Sequence, residues 1–197
     1  MELKLILAGL MKKMSPQMPV TDEQLQRILE VIDEVPVTKG EFVLRQGKVS
    51  NYYLLLNGYM RGYTFDEQGN EVTTNFFAGP RAVLDAASFF GRLPSAENIV
   101  AISDCRGYLL TLEQLNKLFH EMPEFREFGR AILVRELVIA QEQKLAHINL
   151  SAEDRYKQLV ERDTELMQHA QLRHIASFLG VTDTSLSRIR RELANKK

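Results

Sequence analysis

Residues 172–191 read Leu-Arg-His-Ile-Ala-Ser-Phe-Leu-Gly-Val-Thr-Asp-Thr-Ser-Leu-Ser-Arg-Ile-Arg-Arg. Ile175, Ala176 and Leu179 fall on one side of a first helix; Leu186, Ile189 and Leu193 form the stripe of a second. Gly180 stands where a tight turn needs positive φ, and Val181 packs beneath it. Thr182 offers a hydroxyl cap to the second helix. The spacing predicts a helix-turn-helix. Its open face carries Thr184, Ser185, Ser187, Arg188, Arg190 and Arg191, with Arg173 on the first helix. Small hydroxyl side chains can approach base edges, and an arginine one or two turns in can take guanine O6 and N7 bidentately. Arg190, Arg191, Lys196 and Lys197 suit phosphates, and Thr182 sits at the phosphate-facing helix start. A two-helix packing motif with a solvated basic face is the plainer reading; the arginines favour duplex DNA. Asp183 works against phosphate and fits a capping role.

Charge supports the same division. The 197 residues carry a net −1, which by itself does not suggest nucleic acid. Residues 151–197, however, hold nine Lys/Arg against seven Asp/Glu, while residues 1–150 hold sixteen against nineteen. The positive charge is local, so any binding rests on one basic face rather than on the field of the whole protein.

Upstream, Pro123–Ile148 reads as one long helix, apolar almost all round. One face can pack on its own domain, and the other is expected to pack on a second copy of the chain. Asn149–Ala152 reads as a hinge, with Ser151 and Asp154 as a weak capping pair. Residues 36–112 alternate in short runs broken by Lys39-Gly40, Gln46-Gly47, Asn57-Gly58 and Gly69-Asn70, which predicts a closed or nearly closed β-barrel. A helix is predicted over 21–34, and a short amphipathic helix at the start.

Several classes are excluded. One cysteine, Cys105, allows no internal disulfide and no multi-cysteine zinc or iron–sulfur site within the chain. No apolar run is long enough to span a membrane, and Leu5–Met11 lacks the features of a secretory signal, so the cytoplasm is expected. No histidine lies between 36 and 112, which argues against a cupin-type metal enzyme; no enzyme is expected.

Lys39-Gly-Glu-Phe-Val-Leu-Arg-Gln-Gly47, Leu54-Leu-Leu-Asn-Gly-Tyr-Met-Arg61 and the 175–193 motif together resemble the CRP/FNR family of bacterial transcription regulators. The resemblance implies an α+β fold: a double-stranded β-helix (a jelly-roll-like barrel), a long dimerisation helix and a C-terminal helix-turn-helix. It implies a cyclic-nucleotide-binding-like effector domain over 1–122, the dimerisation helix and hinge over 123–150, and a DNA-binding domain over 151–197. The implied partners are double-stranded DNA, a second copy, RNA polymerase and a small-molecule effector, with no membrane. The effector pocket falls on Leu84, Asp85, Ser88, Ser95 and Ala96. Two departures follow. Asp85 stands for the family's ribose-binding glutamate, but Ser95 replaces the arginine that pairs with the cyclic phosphate, and Glu97 adds negative charge. Arg81 and Arg92 lie nearby, out of register. Cyclic AMP is therefore disfavoured, and the effector is unknown. The family's wing, a hairpin after the second helix, has no residues left for it; it precedes the motif or is missing. Two readings stay open: a homodimeric DNA-binding regulator under a small molecule other than cyclic AMP, or a sensor module with a vestigial or modified pocket and weak DNA binding.

Overall fold

The structure, a computed structural model, describes residues 2–195. Lys196 and Lys197 lie outside the described residues. The chain opens with α1 (Glu2–Met14), whose Leu7, Leu10 and Met11 are buried, and α2 (Asp22–Leu29), which Thr21 and Gln24 start with a reciprocal capping box.

Eight strands follow in two four-stranded antiparallel sheets. One sheet has the order β1 (Asp33–Val37), β8 (Cys105–Leu110), β3 (Tyr52–Asn57), β6 (Arg81–Val83). The other has β2 (Phe42–Leu44), β7 (Asn98–Ala101), β4 (Tyr59–Phe65), β5 (Glu71–Ala78). Their facing sides enclose a core of Tyr53, Leu55, Met60, Phe77, Val83, Ile99 and Cys105. Burial pushes the Cys105 thiol pKa up, as befits a packed core residue. A short helix, α3 (Ala86–Gly91), sits between β6 and β7.

The helix predicted over 21–34 is shorter than expected. It stops at Leu29, and β1 begins at Asp33, pairing Val35 with Gly107 and Pro36 with Arg106. Pro36 disfavours helical geometry at the residue before it and draws the segment into an edge strand.

Helices make up the rest: α4 (Leu112–Glu121), α5 (Pro123–Asn149), α6 (Ala152–Arg162), α7 (Leu166–His169), α8 (Leu172–Phe178) and α9 (Asp183–Asn195). Among the described residues no strand follows β8. The 27 residues of α5 run about 40 Å. Phe125, Phe128 and Ile132 bury its first third against α1 and α4. Val134, Leu137, Val138, Leu145 and Ile148 remain exposed farther along, Leu137 at 69 %.

Candidate nucleic-acid interface and effector pocket

The turn between α8 and α9 is set by local chemistry. Gly180 has φ 66°; its N–H donates to Ser177 O at 3.1 Å, and the Val181 N–H donates to Ala176 O at 3.0 Å. These two bonds close a left-handed helix end that suits glycine. The chain then enters α9, where Thr182 Oγ1 accepts the Ser185 N–H at 3.2 Å. Ile175, Ala176, Leu179 and Leu186 bury together with Leu166 and Phe76. The Ser185 hydroxyl is engaged by Thr182 at 3.0 Å, and Arg173 is turned to Gln171 at 2.9 Å. Thr184, Ser187, Arg188, Arg190 and Arg191 are solvent-exposed. Arg188 lies 3.9 Å from Glu192, a loose contact worth little in water.

The motif is mounted on the barrel. Phe76 of β5 packs edge-on against Phe178 of α8, with ring centroids 5.3 Å apart. The backbone N–H of Thr73 donates to Ser177 Oγ at 2.7 Å. Tyr59 stacks on His169 at 4.7 Å and donates to Asp163 at 3.1 Å. Burial, then the Asp163 and Glu165 carboxylates, pushes the Tyr59 hydroxyl pKa to about 12. Beneath α8, Arg61 pairs with Glu71, and His174 Nε2 lies 3.7 Å from the same carboxylate. Burial, then the positive charges of Arg61 and Arg173, lowers the His174 pKa to about 4.

Of the residues expected at the effector pocket, Asp85, Ser88 and Ser95 are hydrogen-bonded to one another. Asp85 caps α3, accepting the Ser88 N–H at 3.1 Å on Oδ1, and it accepts the Ser95 hydroxyl at 2.7 Å on Oδ2. Ser95 is 3 % exposed and also accepts the Glu97 N–H at 3.0 Å. Ser88 Oγ accepts from Ser50 N and donates to Leu93 O. Leu84 is half-buried and Ala96 exposed. Burial raises the pKa of neighbouring Glu97. Arg92 is exposed, in the left-handed region at φ 54°. Arg81, 7 % exposed, donates to Glu136 of α5 at 2.9 to 3.2 Å and to Phe76 O at 2.9 Å. Both oxygens of Asp85 are thus occupied, and Arg81 is committed elsewhere. The residues present do not fit a cyclic phosphate, whose burial requires a paired cation.

Sequence reasoning missed the Arg81–Glu136 pair and the Ser177–Thr73 bond, because no local pattern links positions so far apart. Among the described residues no group of three or more His, Cys, Asp or Glu could hold a metal ion, and no helix is long and apolar enough to cross a membrane.

The two-sheet roll leads through a long helix to a two-helix motif, and residues 34–122 match the cyclic nucleotide-binding domain family. Over 136 residues, 68 % of the chain, it is 29 % identical to the fumarate and nitrate reduction regulatory protein of Salmonella typhi. The match spans about half of that relative's length, 52 %. A crp/fnr-family protein from Eubacterium rectale superposes with a TM-score of 0.68 at 15 % identity, covering 90 % of this chain and 85 % of that one. FixK2 from Bradyrhizobium japonicum gives 0.66 at 21 % identity, covering 84 % and 85 %. The chain is therefore similar to regulators of the CRP/FNR family, the resemblance its sequence motifs implied. Its matched relatives are regulators, in agreement with the expectation that it is not an enzyme.

Proposed function

We propose that the chain is a homodimeric, sequence-specific DNA-binding transcription regulator of the cytoplasm. The observation that carries this reading is α9. A fixed turn and a hydroxyl cap orient the helix, Leu186 and Ile189 bury one side, and Arg188, Arg190 and Arg191 are exposed on the other. Arg188, Thr184 and Ser185 read bases; Arg173, Thr182, Ser187, Arg190 and Arg191 hold the backbone. Residues 151–197 act as the DNA-binding domain and 123–150 as the dimerisation helix and hinge, with the barrel of 1–122 as effector domain. The unpaired stripe of Val134, Leu137, Val138, Leu145 and Ile148 favours dimerisation, since so much apolar surface on one helix face calls for a partner. The closed Asp85–Ser95 site favours an effector other than cyclic AMP. Contact with RNA polymerase follows where the protein activates.

Sequencing the genomic fragments bound by the full chain tests the reading. A two-fold-related motif is expected, with half-sites about 34 Å apart, one helical turn. Fragments sharing no such symmetry would overturn it.

A further inference from the structure

A second cavity lies away from the Asp85–Ser95 site. It is a cleft of about 1050 Å³ between the barrel, α5 and α6, and none of Leu84, Asp85, Ser88, Ser95 or Ala96 lines it. Its size suits a small organic molecule. Phe76, Pro80, Ile139 and Leu159 give it apolar walls. Four guanidinium groups also border it, and two of them are spoken for. Arg81 is bound to Glu136, and Arg155 donates to Leu150 O and Leu179 O. Arg135 and Arg162 have no carboxylate within ion-pair distance among the described residues, although both line the cleft. Glu142, Glu161 and Asp163 also border the cleft, and Asp163 is occupied by the Tyr59 hydroxyl and the Leu166 N–H. Burial, then the charge of Arg81, lowers the Arg162 pKa against the opposing pull of Glu136 and Glu142. Arg135 and Arg162 stand beside apolar walls with no carboxylate in ion-pair contact among the described residues, an arrangement complementary to an anion.

We propose that this cleft binds an organic anion, an apolar body bearing one carboxylate, phosphate or sulfonate, with Arg135 and Arg162 taking the charge. Arg162 makes the anionic contact from α6, and Arg135 makes it from α5. An occupant therefore joins the long helix to the segment leading into α8 and α9. This deepens the effector part of the proposed function and rests on it for any role in regulation; the binding itself needs no DNA.

The test titrates the full chain with 1-anilinonaphthalene-8-sulfonate and with its uncharged counterpart N-phenyl-1-naphthylamine, read by fluorescence. The sulfonate is expected to bind at least about tenfold tighter, a single charge-assisted contact. Combining Arg135→Gln with Arg162→Gln should bring the two dyes within about twofold. Ala146→Phe, at a half-buried lining position that carries no charge, should block both dyes. Equal affinity of the wild-type chain for the two dyes would overturn the proposal, as would sulfonate binding that survives the double variant or Ala146→Phe. Because no DNA is present, these outcomes are separate from failure of the DNA-binding reading.

Discussion

Ser177 of α8 accepts the backbone N–H of Thr73 in β5 at 2.7 Å, so a side chain of the two-helix motif completes the hydrogen bonding of a barrel strand. Thr73 is buried, and Ser177 Oγ is the acceptor its amide finds. Ser177→Ala removes the acceptor with little change of volume. It should destabilise the protein by about 1–3 kcal/mol, the cost of a buried amide left without a partner. Chemical denaturation measures the loss, and faster hydrogen exchange at the Thr73 amide locates it.

Ser95→Ala should cost a similar amount, about 1–3 kcal/mol, since both Asp85 Oδ2 and the Glu97 N–H lose a partner at a buried position. Millimolar cyclic AMP should leave the thermal midpoint of the wild-type chain unmoved. A dose-dependent rise would show that the roll takes the nucleotide despite lacking a facing cation.

The folded state should weaken in mild acid. His174 is neutral in the fold down to about pH 4, whereas an ordinary histidine takes its proton near 6.5. The unfolded chain therefore binds more protons than the folded one below about 6.5, and stability falls as pH drops from there towards 4. His174→Gln should flatten this part of the curve. Urea midpoints between pH 7 and pH 4 that run parallel for the two proteins would refute the assignment.

Gly107→Ala should be among the most damaging single changes. A methyl group there would come within 2.2 Å of the Leu54 carbonyl oxygen, and that backbone is held by the β3–β8 pairing. Neither strand can retreat without breaking register, so a loss of about 3 kcal/mol is expected by denaturation.

At the proposed DNA face, Arg188→Ala should cost on the order of 1–3 kcal/mol of operator affinity and relax base choice at one position. Arg191→Ala should weaken binding evenly across sequences and reduce its salt dependence. Electrophoretic mobility shifts at fixed salt separate the two effects. Unchanged affinity for Arg188→Ala would mean that α9 docks on another face.

Legibility followed sequence distance. Gly180 and Thr182 act on neighbours within a few residues, and the turn they form could be read directly. Ser151 accepts the Asp154 N–H at 3.1 Å, at the position its spacing suggested. The long helix runs one residue beyond its predicted end. By contrast β6 has three residues, too few for alternation to show, and β1 contains a proline that masks it. The candidate pocket was legible as a set of residues but not as a closed network, because Asp85 and Ser95 meet only when β6 and β7 are brought together around α3. The cleft had no sequence signal. It arises from how α6 lies against the barrel, and its walls come from positions spread over a hundred residues.

The Arg81–Glu136 pair fixes a point along α5, thirteen residues before the helix ends at Asn149. That stretch of helix is about 20 Å long. Pivoting there by about 10° would carry its far end about 3.4 Å, the rise of one base pair. The protein thus has the proportions of a lever with its fulcrum near the middle of the helix. For the DNA-binding role proposed above, a sub-ångström change beside Glu136 would become, at the far end, a shift of one base-pair step.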